Sequence, residues 1–389
     1  MRALPWLAAA LALAGCGAAK HAAAPAPKGV VRYCTTDEFD SEGRAVLQFN
    51  QAHERKGLSA VLVRFTNDKR LARGIKDGRC DVAALPMFDM GRYAAAGGLL
   101  DLSRHVAGRR SEFFPAALAT ARYAGRDWGL PLYVDVGVLF ARTGRLPATL
   151  QELWRRGGFI YGDGPDSSLA FLETAYAAGG GILTPDGRRS ALDSPENLRA
   201  LELMRSGVRS GKVRGYANTR AYKIYMKGHG TFMRNWSSAG AGDDRLGDSD
   251  VKIVALPPFD GGKAATLLVG FDLVVLRTSR RPQAALAFLD ARVSPAGARA
   301  AARSGLLSPL VKSYDDSEVT NGPGGHSLKA ALERGVALPV TPHLVTILQT
   351  VTTTVDLALS GRVSPRRALR IASKAIDSTL ATAAPGDES

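Results

Sequence analysis

The chain is poor in the residues that most often announce chemistry. Three cysteines and six histidines among 389 residues exclude a disulfide-dense scaffold and leave little for a metal centre. No Gly-x-Ser-x-Gly, His-Glu-x-x-His or phosphate-cradling glycine loop occurs, so three common catalytic signatures are missing. No apolar run reaches the length of a bilayer span. Acids are also in short supply: 51 Lys and Arg stand against 36 Asp and Glu, a formal net charge of +15. The cations are scattered singly among helices rather than gathered in a long run, the pattern of solvated faces rather than of a nucleic-acid-binding tail. Attraction to an anionic membrane or wall surface is the better use of that balance, and a compositional bias toward Arg with no function is equally compatible with it. There is no internal repeat and no coiled coil.

What is present begins at the first residues. Arg2 is followed by a short apolar run, Leu4 to Leu13, that ends in Leu13-Ala14-Gly15-Cys16. This ending resembles a bacterial lipobox, whose peptide is cut before the cysteine and whose cysteine takes up lipid. The resemblance implies an extracytoplasmic chain anchored to the cell membrane through Cys16, with 1–15 as signal peptide. Residues 16–29, which include GAAKHAAAPAPKG, are small and Pro-containing without periodicity, as suits a tether. Two cysteines remain, Cys34 and Cys80, at the edges of strand-like runs in a chain read as exported. One disulfide and two separate buried thiols are both compatible with that count, and the spacing is not that of a metal site.

Beyond residue 30, strand-like runs alternate with amphipathic helical stretches: VVRYC, GRAVLQFNQAHER, LSAVLVRF, KRLARGIKDG and CDVAAL. A second such series runs from FIYGD to VKIVALP, followed by LVGFDLVVL, the helical RPQAALAFLDARV and two long C-terminal helical stretches at about 343–360 and 364–382. The order predicts an α/β fold in more than one unit, with mainly parallel sheets flanked by helices and ligands at the carboxyl ends of the strands.

One strand poses a question. PLYVDVGVLF, from Pro131 to Phe140, is apolar except for Asp135 in its middle. A buried carboxylate is kept only with a partner, which is either another residue, such as an Arg, or a ligand.

The order of several segments then resembles a known family, the sugar-binding extracytoplasmic solute receptors of ABC importers, of the trehalose/maltose-binding type. The segments are FNQAH, DVAAL, YAAAGGLLDLS, WGLPLYVDVGVLF, FMRNWSSAG, VKIVALPPFDGGKAATLLVGFDLVVL, LPVTPHL and LALSGRVSPRRAL. The resemblance covers nearly the whole chain after the tether. It implies a two-lobed fold, with one lobe from 30–134 plus 272–318 and the other from 136–268 plus 319–389. The lobes close about hinges near Asp135 and Gly270 on a disaccharide or short oligosaccharide, which passes to membrane permease subunits. No catalysis, cofactor or nucleic acid is implied, and the receptor is expected to be a monomer.

The resemblance also implies the ligand residues. Tyr133 and Asp135 match a Tyr-x-Asp that faces the sugar, a role that fits a carboxylate accepting hydroxyl protons and a ring covering a C–H face. Glu38 matches an acidic ligand residue, with Asp37 beside it as substitute and helix capping as the alternative for both. Trp236 matches a stacking tryptophan, with core packing as the alternative, while Gly270 and Phe271 stand where Gly-Trp is usual. Tyr161 is a further candidate. Arg234 suits either an anionic ligand group or a structural acid. The chain departs from the pattern at Pro86, where the family carries an aspartate; Asp89 and Phe88 are the candidates to replace the lost Asp and Trp. LPVTPHL also lacks the usual arginine and carries His343 in place of an aromatic. A carbohydrate-active enzyme and an envelope lipoprotein with a degenerate pocket are the competing readings.

Overall fold

The structure, a computed structural model, describes residues 28–36, 40–142, 144–241, 243–247, 249–303, 305–321 and 325–382. Cys16, Asp37 and Glu38 lie outside the described residues. The strands are β1 (Gly29–Thr35), β2 (Leu58–Arg64), β3 (Val82–Pro86), β4 (Arg122–Tyr123), β5 (Arg126–Asp127), β6 (Leu130–Ala141), β7 (Phe159–Gly162), β8 (Val213–Tyr216), β9 (Phe232–Trp236), β10 (Lys252–Ala255), β11 (Thr266–Val275) and β12 (Gly335–Ala337).

Two parallel sets are joined through the long strands β6 and β11. The sheet order is β2-β1-β3-β11-β6-β9-β7-β8, with β10 on β6 and β12 on β11. β1 is parallel to β2 and β3, and β7 is parallel to β8 and β9. β6 and β11 run antiparallel to one another and to β9 and β3 respectively, so the expected parallel character holds within each half and breaks where the chain crosses. This is the two-lobed architecture in which each half carries its own layer of helices.

Local signals explain the helix ends. The side chain of Asn67 accepts from the amide of Arg70 at the start of Asp68–Lys76, and that of Ser194 accepts from Asn197 at the start of Pro195–Arg209. These satisfy amides that a helix leaves without internal partners. Among the described residues no helix is long and apolar enough to cross a membrane. The outer edge of β2 is partly sealed by the preceding helix, Asp40–His53. Asn50 accepts from the amide of Ala60 at 2.7 Å and donates to its carbonyl at 3.0 Å.

Cys34 and Cys80 form a disulfide with Cα atoms 5.7 Å apart. Strand adjacency brings them together, since Cys34 lies opposite Ala83 on the neighbouring β3.

The apolar side chains divide in a way that matters for the site. On one face of β6, Val134, Val136, Val138 and Phe140 belong to a single continuous core that also holds Met87, Tyr225 and Met233. On the other face Tyr133 belongs to a core with Phe49 and Phe288, whereas Leu139 belongs to a different one with Trp154, Phe171 and the C-terminal residues Ile347 and Ile376. The strand therefore runs over one unbroken core and, on its reverse, over a gap between two.

Candidate functional site

The gap is visible in the exposure of the crossing strands. Along β6 every residue is buried except Asp135, and along β11 every residue is buried except Val269, Gly270 and Phe271. These positions are neighbours: Asp135 pairs with Val269, Val134 with Gly270 and Tyr133 with Phe271, while Gly137 pairs with Trp236 on β9. Alternation in a strand puts Tyr133, Asp135 and Gly137 on one face. That face presents, rung by rung, the Tyr133–Phe271 pair, the Asp135 carboxylate and Trp236.

Each rung has a physical setting. The rings of Tyr133 and Phe271 are tilted at 5.4 Å, with Tyr133 buried and Phe271 half-buried. Gly270 has φ +145°, and a Cβ there would lie 2.3 Å from the Tyr133 carbonyl oxygen, so only glycine fits. The partners of Asp135 are neither an arginine nor a long helix terminus. It accepts from the amides of Val136 at 2.9 Å and Ser238 at 3.2 Å and from the hydroxyls of Ser237 and Ser238. Burial pushes its carboxyl above the usual range, against the pull of those hydrogen bonds. These bonds hold the turn that follows Trp236, and among the described residues Oδ2 accepts only the Ser238 hydroxyl.

Trp236 is half-buried and rests on Arg234, whose guanidinium carbon lies 4.1 Å from the ring centroid. A side-chain hydrogen bond joins Trp236 to Asp166, which also bonds Asn218 and whose carboxyl is raised by burial. Arg234 is given over to a structural acid, making two 2.7 Å bonds to Glu173. The pair reaches the crossing strands, because Glu173 also accepts from the Thr266 hydroxyl at 3.2 Å and the Leu267 amide at 3.3 Å. A side chain at Gly137 would collide with both Glu173 and Arg234.

The remaining candidates are placed differently. Tyr161 is buried in the second core with its ring 5.2 Å from Trp154, and its hydroxyl titrates far above the usual tyrosine range through burial. It belongs to the packing rather than to the gap, because its strand turns that side chain toward the helices. Asp89 follows β3 and pairs with Arg92 at 3.1 Å; burial raises its carboxyl, Arg92 opposes this and Asp68 adds to it. Phe88 packs against the second core, and Pro86 stands opposite Phe271 in the ladder. His343 is buried at the start of Leu344–Leu359. Residues that pattern reading passed over are Ser237, Ser238, Asp166, Asn218 and Glu173. The signal for Glu173 was present: it is an acid inside the apolar run LAFLETAYA. Among the described residues no group of three or more His, Cys, Asp or Glu is arranged to hold a metal.

Comparison with known proteins adds an independent line. A family model described as bacterial extracellular solute-binding protein matches residues 71–325. A probable ABC transporter-binding protein of Deinococcus radiodurans is 25% identical over 277 residues, covering 62% of this chain and 66% of that relative's length. Among solved structures, the sugar-binding protein MalE of Xanthomonas citri has a TM-score of 0.79 at 19% identity, covering 91% of this chain and 98% of the other. A cyclic alpha-maltosyl-1,6-maltose binding protein of Arthrobacter globiformis has a TM-score of 0.78 at 18% identity, covering 91% and 99%. At these identities the structural likeness speaks to the fold.

Proposed function

Since the chain belongs to the bacterial extracellular solute-binding proteins, we propose that it captures a disaccharide or short oligosaccharide and delivers it to the permease subunits of an ABC importer. The observation that carries this reading is the single break in the burial of the crossing strands, where Asp135 stands between Tyr133–Phe271 and Trp236. Aromatic faces cover the C–H surfaces of pyranose rings, and a carboxylate accepts their hydroxyl protons. In this reading Asp135 takes a sugar hydroxyl on Oδ2, and Asp37, Glu38, Asp89 and Phe88 contribute from the first lobe. Gly270 leaves room for close approach.

The lobes divide at Asp135 and near 270, with 30–134 plus 272–318 in one and 136–268 plus 319–389 in the other. Ligand contacts made to both only in the closed state would favour closure. The chain is held outside the cytoplasm by lipid on Cys16 and acts as a monomer without catalysis.

A thermal-shift screen against maltose, maltotriose, trehalose and related sugars tests this. A ligand present at a hundred times its Kd adds about 2.7 kcal/mol of stability and raises Tm. Asp135→Ala is expected to abolish that shift. Absence of any shift across the panel, or release of hydrolysis products, overturns the reading.

A further inference from the structure

Pro86 and Trp236 end β3 and β9 on the side of the gap, and the opposite pole has a chemistry of its own. β1 and β2 start side by side, with Gly29 opposite Leu58 and the Gly29 amide donating to the Gly57 carbonyl at 2.9 Å. β11 is antiparallel to β3, with Val275 opposite Val82, so the residues that follow β11 arrive at this same pole. A Cβ built on Gly29 would sit 3.0 Å from the side chain of Arg281. The topology thus gathers Lys28, Lys56, Arg280 and Arg281, with Arg55 and Arg277 beside them, and all six are exposed.

These cations are gathered at one pole, and they are unspent. Other surface arginines are neutralised locally, as in Arg109 with Asp290, Arg145 with Glu152 and Arg299 with Asp316. None of the six forms an ion pair among the described residues. Of the acids nearby, Glu54 is exposed, whereas Asp81 is buried and already accepts from Arg32 and Ser279. The pole is therefore a net positive surface with accessible charges.

We propose that this pole is a docking surface for the anionic phospholipid headgroups of the membrane that anchors the chain. The occupant follows from place as well as charge, and to that extent the proposal rests on the reading of Cys16 as the lipidated residue. From Cys16 to Lys28 the chain reaches at most about 40 Å, so this pole is held within that distance of the bilayer. Lipid on the cysteine tethers the chain, and a polybasic patch adds an electrostatic contribution that orients it on an anionic surface. Docked this way, the receptor holds its cleft away from the bilayer while unengaged, and each encounter with a permease begins by releasing a salt-sensitive contact.

The test uses the chain from residue 16 onward with Cys16→Ser, so that no acyl group contributes, and measures co-sedimentation with phosphatidylcholine vesicles with and without phosphatidylglycerol. Binding should require phosphatidylglycerol and fall with added salt. At roughly a factor of five per cation, the triple variant Lys56→Gln, Arg280→Gln, Arg281→Gln should bind about a hundredfold more weakly with an unchanged melting temperature. A charge-matched control, Arg366→Gln, Arg367→Gln, Arg370→Gln on the C-terminal helix, should lose far less. Equal loss in both triples, no dependence on phosphatidylglycerol, or retention only on an anionic wall polymer overturns the proposal. Acyl labelling of the native chain is read separately. A native chain without label whose unlipidated form still docks through the patch refutes the anchor and leaves the surface standing, and a labelled chain whose binding ignores the triple variant refutes the surface.

Discussion

Arg234 lies beneath Trp236 with its guanidinium carbon 4.1 Å from the ring centroid, and its own charge is answered by Glu173 through two 2.7 Å bonds. Both charged side chains are nearly inaccessible, at 2% and 3%. Removing one of them strands the other. Arg234→Leu is expected to lower unfolding stability by about 3–5 kcal/mol, whereas the double variant Arg234→Leu, Glu173→Leu should recover most of that. Urea unfolding followed by tryptophan fluorescence checks both, and equal losses in the single and double variants would remove the pair from the account of Trp236.

Gly270 gives a backbone test. Its φ of +145° and the 2.3 Å approach of a Cβ to the Tyr133 carbonyl oxygen mean that Gly270→Ala must separate β6 from β11 locally. A loss of about 2 kcal/mol or more is expected, together with weaker ligand-induced stabilisation. A variant as stable as the parent contradicts the close packing of the crossing strands.

Asp272, next to the bulge in β11, supplies a pH dependence. It is fully buried, bonded to the Thr120 hydroxyl at 2.9 Å, with Oδ2 unpartnered, and burial raises its pKa to about 8. The Thr120 hydroxyl also lies 2.7 Å from the Ala117 carbonyl, so a protonated Asp272 that donates to Thr120 satisfies both. Because the folded chain holds this proton more tightly than the unfolded one, its contribution is fully present below about pH 4. It is lost as pH rises toward 8, at up to about 1.4 kcal/mol per pH unit. Asp272→Asn should flatten the fall in stability between those limits, and an unchanged slope in the variant would mean that Asp272 is charged in the folded chain.

The disulfide joins residues separated by 46 positions. Closing a loop of that size restricts the unfolded chain, and its loss through Cys34→Ala, Cys80→Ala is expected to cost about 4 kcal/mol on the chain-entropy account. Unfolding free energies of the parent with and without reductant, from denaturant curves, should differ by the same margin. A parent insensitive to reductant would show that the bond contributes little.

Much of this arrangement is legible in the sequence, for identifiable reasons. Runs such as VVRYC and LSAVLVRF mark strands because β-branched and apolar residues are dense and the flanks are polar, and the lone carboxylate in PLYVDVGVLF marks the break in β6 because such an interruption needs a cause. Facing is harder to read. Tyr161 points into a core because the helices cover that side of β7, which no local pattern reveals. The partner of Arg234 is distant in the chain, so an arginine that suited two roles from its type alone is assigned only once Glu173 is beside it. The serines on Asp135 follow directly after Trp236, and nothing in their type marks them as partners of a carboxylate a hundred residues earlier.

The bond pair between Asn50 and Ala60 on the outer edge of β2 has a consequence at the scale of many molecules. At high local concentration an open strand edge invites pairing from one copy to the next. With the amide and carbonyl of Ala60 already engaged by a side chain of the same molecule, a neighbour finds the ladder interrupted near its start. The population can therefore be dense without becoming a fibre.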